Sequence, residues 1–89
     1  MLLLLLLTVF ALADTHVIEG SSVVKRVGVK PGDTVKLEAV DTQVTIVGNG
    51  DVFHIDGSGN KTVWVRQPGA KPPRVEREGW DNLSEVAEP

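Results

Sequence analysis

The chain has 89 residues and a formal net charge of −3 at pH 7, and it contains no cysteine. Mixed charges without a basic patch exclude nucleic acid as an expected ligand, and the lack of cysteine excludes disulfides. A chain this small buries only one small core, so we expect it to gain stability from self-association or from a larger protein partner.

The first thirteen residues, MLLLLLLTVFALA, are apolar and end in small side chains. Such a run is too short to cross a hydrocarbon core of about 30 Å as a helix, and Ala11 and Ala13 suit a signal peptidase. We predict a helical signal peptide over residues 1–13, cleaved after Ala13, and therefore a secreted or periplasmic protein. No Lys or Arg precedes the apolar run. If it is retained, the chain is instead a small membrane-anchored assembly component.

Cleavage after Ala13 would make Asp14-Thr15-His16 the mature N-terminus. This tripeptide resembles the amino-terminal copper and nickel motif of serum albumins. The free α-amine, the two intervening amides and the His16 imidazole can close a square plane, the geometry that Cu(II) and Ni(II) prefer for nitrogen ligands. The resemblance implies a Cu(II) or Ni(II) site at Asp14, Thr15 and His16 in the cleaved chain. In the alternative interpretation, His16 lies in the first strand.

We predict one small all-β domain over residues 14–66. Short β-branched runs alternate there with turn signals. The predicted strands are 16–19, 23–29, 34–40, 43–47, 51–55 and 61–66. Between the second and third of them, Lys30-Pro31-Gly32-Asp33 predicts a type II turn, because proline fixes φ at the first central position and glycine supplies positive φ at the second.

A nine-residue repeat runs through this domain in two mostly apolar columns. The intervening residues are mostly polar, so strand alternation predicts that both columns face the core. One column is Leu37, Ile46, Ile55 and Trp64; the other is Val35, Val44, Phe53 and Thr62; the intervening series is Lys36, Thr45, His54 and Val63. Nine residues make one strand plus one turn, which fits a small β-solenoid or β-roll-like module, or alternatively an antiparallel meander or sandwich.

Two segments of this region, VTIVGNG at 44–50 and IDGSGNKTV at 55–63, each carry part of the pattern V-x-I-x-G-x-G-N. The pattern resembles an uncharacterised family of short secreted bacterial β-repeat proteins, defined by a domain of unknown function. The resemblance implies a small all-β module, solenoidal in form, of the periplasm or cell surface. It implies no particular activity.

The two Gly-x-Gly steps in these segments also resemble calcium-binding nonapeptides, which need an aspartate two positions after the second glycine. Val52 and Lys61 stand at those positions. We therefore interpret the glycines as turn residues that permit positive φ. No serine, histidine and acid occur in a catalytic pattern, and His54 is expected at the strand surface, so we predict that the protein is not an enzyme.

Two glycosylation sequons, Asn60-Lys61-Thr62 and Asn82-Leu83-Ser84, matter only in a host that glycosylates exported chains. Residues 67–89 contain four of the five prolines and many charges, a composition that predicts a flexible, disordered tail. Within it, Trp80, Leu83 and either Val86 or Ala87 recur at helical spacing and could form one amphipathic turn, unless Trp80 packs back on the domain. Together these features predict a non-enzymatic secreted or periplasmic β module with a structural or binding role.

Overall fold

The computed structural model describes residues 13–88, which form eight β-strands in two four-stranded sheets. The strands are β1 (Thr15–Ser21), β2 (Val24–Val29), β3 (Thr34–Val40), β4 (Gln43–Gly48), β5 (Val52–Ser58), β6 (Lys61–Val65), β7 (Arg74–Arg77) and β8 (Leu83–Ala87). The predicted signal helix falls almost entirely on residues 1–12, outside the described part. Within the described part, no helix is long and apolar enough to cross a membrane.

The chain alternates between the two sheets at every strand. Sheet A has the order β1-β3-β5-β7 and sheet B the order β2-β4-β6-β8. All six strand pairings are parallel, because each strand reaches its neighbour by way of a strand in the other sheet. One strand from each sheet makes one turn, so the fold is a four-turn β-solenoid. The prediction of a solenoid is confirmed, and the antiparallel alternative does not occur here.

The nine-residue repeat corresponds to half of one solenoid turn. Thr34 pairs with Val52, 18 residues later (52 − 34), and in the same two turns Leu37 pairs with Ile55 and Ile46 with Trp64. Successive members of each column therefore lie in opposite sheets and meet in the core between them. All eight column residues are buried, as predicted: Val35, Leu37, Val44, Ile46, Phe53, Ile55, Thr62 and Trp64.

The glycines around the third turn make room for a tightly packed interior. Gly57 has φ +109°, and a Cβ there would lie 1.9 Å from the Ala39 carbonyl oxygen of the turn below. Gly48 accepts a 2.8 Å hydrogen bond from the Trp64 indole, and a Cβ on Gly50 would lie 2.8 Å from the same ring. The first Gly-x-Gly step thus makes space for a fully buried tryptophan rather than for a cation.

A buried asparagine connects three successive turns at the corner before β6. The side-chain nitrogen of Asn60, Nδ2, donates to the Ala39 carbonyl and to Asn82 Oδ1, each at 2.9 Å. Its Oδ1 accepts from the Thr42 backbone N–H at 3.1 Å. Because every polar atom of the Asn60 side chain has a partner, its complete burial carries no desolvation penalty from a missing hydrogen bond.

The solenoid continues beyond the predicted domain boundary at residue 66, which differs from the predicted flexible, disordered tail. β7 pairs with β5, and β8 pairs with β6 over all five of its residues. The unpaired backbone groups along the edges of β5 and β6 hydrogen-bond to β7 and β8 and so order this segment. Amino-acid composition does not indicate such pairing. The amphipathic helical turn is absent, because Leu83 and Val86 lie in β8. Nor is the Trp80 side chain packed back on the domain, since it is 69% exposed.

Candidate functional site at the N-terminal end

The predicted site residues Thr15 and His16 begin β1, an outermost strand of sheet A, and Asp14 directly precedes it. The Thr34 backbone N–H donates to the Asp14 carbonyl at 2.9 Å, which fixes this segment against β3. His16 pairs in register with buried Val35, so its ring lies over the end of the core and is 27% exposed. The interpretation of His16 as a residue of the first strand is therefore confirmed.

A buried carboxylate lies directly beneath this segment. Asp33 is 1% exposed and accepts from the Asp14 backbone N–H at 2.9 Å and from His16 Nε2 at 2.8 Å. The predicted turn places it there: the Asp33 N–H donates to the Lys30 carbonyl at 3.0 Å, and Gly32 has φ +92°. The Lys30 backbone N–H closes the turn by donating to Asp33 Oδ2 at 3.0 Å.

The Lys30 ammonium lies between two carboxylates. Its Nζ is 2.5 Å from Asp14 Oδ2 and 3.2 Å from Asp33 Oδ1. The hydrogen bond to Asp14 raises the pKa of Lys30. Hydrogen bonds from the Asp14 backbone, from His16 and from Lys30 hold the pKa of Asp33 well below its usual range. We call these four residues, Asp14, His16, Lys30 and Asp33, the N-terminal carboxylate cluster.

Three members of this cluster offer metal-binding atoms close together. Donor atoms of Asp14, His16 and Asp33 all lie within 4.8 Å of one another. The sequence pointed to Asp14 and His16 but missed Asp33. The spacing of the repeat could have indicated Asp33. One solenoid turn takes 18 or 19 residues, so the residue one turn after Asp14 lies near position 33.

The predicted four-nitrogen copper or nickel site requires a different conformation of the same residues. Thr15 and His16 are extended and paired with Thr34 and Val35, whereas a square plane needs residues 14–16 to wrap around one ion through their amide nitrogens. To do so, this segment has to leave β3 and give up its contacts with Asp33. The four-nitrogen site remains a prediction, and the folded strand competes with it.

A second group of titratable side chains lies on the outer face of sheet A. His54 Nδ1 is 3.5 Å from Glu76 Oε1, and His54 Nε2 is 3.3 Å from Glu78 Oε1. The His54 side chain is 26% exposed, close to the expected surface position. The sequence assigned both glutamates to the tail. Glu76 lies in β7, and Glu78, directly after that strand, is held by a 2.7 Å hydrogen bond from its backbone N–H to the Ile55 carbonyl.

The outer face of sheet B has a groove of about 450 Å³ that crosses all four strands. Three of its apolar side chains are exposed: Val24 by 77%, Leu83 by 65% and Val63 by 37%. Lys61 and Glu85 add one charge of each sign to the same groove. We call this surface the sheet B groove.

Comparison with known protein families, with curated proteins and with solved structures finds no match to this chain. The N-terminal carboxylate cluster and the sheet B groove are therefore the features from which a function can be inferred.

Proposed function

We propose that the protein is a secreted or periplasmic, non-enzymatic β module with a structural or binding role, which associates through the sheet B groove. The observation that carries this proposal is the exposure of Val24, Val63 and Leu83 on one sheet face. Apolar side chains gathered on one surface favour association, because covering them removes apolar area from water. The apolar N-terminal segment supports export, as the sequence predicts.

The partner that we propose is a second copy of this chain. The sheet B groove carries Lys61 and Glu85 on neighbouring strands, so an identical face offers each charge an opposite partner, and the valines and Leu83 can cover one another. A twofold contact between identical faces is the commonest arrangement of soluble homo-oligomers. This association would supply the stability that the small, cysteine-free chain is expected to need.

Sedimentation velocity over a micromolar concentration series tests this association. We expect a concentration-dependent dimer, which Leu83→Lys abolishes by placing an ammonium in the groove. Val17→Lys is the matched control, because Val17 is 52% exposed on the outer face of sheet A and its variant should still dimerise. A wild-type chain that stays monomeric throughout, or an equal effect of both variants, contradicts the proposed interface.

N-terminal sequencing of protein from its host tests the export part of the proposal separately. A mature chain that begins at Asp14 supports a secreted or periplasmic module, and it also creates the α-amine that a copper or nickel site would require. A chain that begins at Met1 and fractionates with membranes supports the alternative of a membrane-anchored assembly component.

A further inference from the structure

We infer that Asp14, His16 and Asp33 form a binding site for a divalent metal ion of intermediate softness, such as Zn(II), through mixed nitrogen and oxygen ligands. The inference rests on geometry: one imidazole nitrogen and two carboxylates from two different turns converge within 4.8 Å. Imidazole and carboxylate are both common zinc ligands, and three protein ligands suffice to hold the ion.

Cleavage after Ala13 adds a fourth ligand to this site. The Asp14 nitrogen lies 2.9 Å from Asp33 Oδ1, and cleavage converts it from an amide into a free amine that can bind metal. The donor set then comprises two nitrogens and two carboxylates, a number that suits the tetrahedral preference of Zn(II). This fourth ligand rests on the proposed processing, whereas the other three are present in either form of the chain.

The cluster already holds a cation at this place. The Lys30 ammonium contacts both Asp14 and Asp33, which shows that the two carboxylates can share one positive charge. Lys30 Nζ ends a flexible side chain that is 47% exposed, so it can move into solvent when a divalent ion takes its position. The Lys30 backbone N–H meanwhile keeps Asp33 in place, as outer-shell hydrogen bonds do for metal ligands.

The proposed site differs in its ligands from the copper and nickel motif predicted from the sequence. That motif uses the amides of Thr15 and His16 and does not need Asp33. The mixed site keeps β1 paired with β3 and depends on Asp33. Zn(II) distinguishes the two, because it has no preference for the square plane that deprotonated amides impose on Cu(II) and Ni(II).

Titration of the exported chain with Zn(II) in isothermal calorimetry tests the inference, after mass spectrometry has confirmed Asp14 as the first residue. We expect one Zn(II) per chain. Asp33→Asn should weaken binding by at least about tenfold, and Lys30→Met should strengthen it because the competing ammonium is gone. Asp51→Asn is the matched control: Asp51 accepts from the Gly32 N–H at the same corner but lies outside the ligand set, so binding should not change.

Two further variants keep the inference decidable if Asp33→Asn fails to fold, as judged by circular dichroism. His16→Gln should weaken Zn(II) binding in a folded chain. A chain that retains Ala13 should bind Zn(II) less tightly while losing any four-nitrogen copper spectrum. The inference is overturned if the folded wild-type chain binds no Zn(II) at one per chain, or if Lys30→Met and His16→Gln both leave the affinity unchanged. Neither result bears on dimerisation through the sheet B groove.

Discussion

The third turn of the solenoid (β5 and β6) and the fourth turn (β7 and β8) differ in how deeply their inward-facing residues are buried. In the third turn, Phe53, Ile55 and Trp64 fill the inward columns and are at most 1% exposed. In the fourth turn, Val75, Arg77 and Val86 pair in register with these three residues. Val86 is 36% exposed, and Arg77 is exposed as well. The fourth turn therefore covers the third while its own far side remains open.

This difference shows that the fourth turn closes the end of the core, in part with the polar side chain of Arg77, rather than repeating the core. The Arg77 guanidinium donates to the Ser84 hydroxyl, which links the last strands of the two sheets across the end of the solenoid. Polar groups on the outer face of a terminal turn keep a repeat structure soluble and protect its open strand edges. The order of the fourth turn should consequently depend on the third turn, with little dependence in the reverse direction.

Removing the central side chain of the third turn should have the largest effect. We expect Trp64→Ala to lower the free energy of unfolding by about 3–5 kcal/mol, because it leaves a large cavity beside Phe53. The third and fourth turns should both lose protection in hydrogen exchange. Urea unfolding measures the energy, and a loss below about 1 kcal/mol would contradict the central role of Trp64. Unchanged exchange in β7 and β8 would show that the third turn does not organise the fourth.

Removing the connection between the two turns should have an intermediate effect. Asn60→Ala leaves the buried Thr42 N–H without its side-chain acceptor, which should cost about 2 kcal/mol. This variant should raise the rate of amide exchange more in β8 than in β3. Asn49→Ala is the control, because Asn49 Oδ1 accepts only an exposed N–H, that of Gln67. Equal losses in the two variants would contradict the role assigned to the buried asparagine.

Acid should destabilise the N-terminal end of the solenoid before the fourth turn. Because the folded pKa of Asp33 is lowered, its stabilising contribution is complete above its unfolded value of about 4. The contribution declines as the pH falls below that value. We expect the melting temperature to drop gradually between about pH 4 and pH 2, with a shallower drop in Asp33→Asn. Exchange should rise first in β1, and an identical acid profile for the variant would contradict this assignment.

Removing the Arg77 side chain from the fourth turn should have the smallest effect. Arg77→Ala breaks one exposed hydrogen bond, so the free energy of unfolding should change by about 0.5 kcal/mol or less. Faster exchange should be confined to β7 and β8. Arg74→Ala, which removes an exposed ion pair with Glu76, serves as the comparison. A loss above about 2 kcal/mol in Arg77→Ala would mean that the fourth turn supports the third.

The sequence predicted the interior of the central turns because strand alternation and the nine-residue period both mark the columns of Leu37 and Val35. It left the strand direction open, since the same period fits parallel and antiparallel neighbours. It missed the fourth turn for two reasons. The pairing of Arg74 with Val52 depends on the exposed backbone of β5, and the high proline and charge content of residues 67–89 is typical of a disordered segment. Asp33 was missed for a similar reason, because its partners lie 17 and 19 residues away and meet it only after one turn of the solenoid.

The buried Asn60 side chain also determines when one glycosylation sequon could be used. In the folded chain its amide nitrogen is fully buried and makes two hydrogen bonds, so an oligosaccharyltransferase has no access to it. A glycan attached earlier, during export, would occupy the space in which the Asn60 side chain contacts Ala39 and Asn82, and would prevent the second and fourth turns from stacking on the third. Folding and modification at Asn60 are thus mutually exclusive, and correctly folded chains should carry an unmodified asparagine at this position in any host.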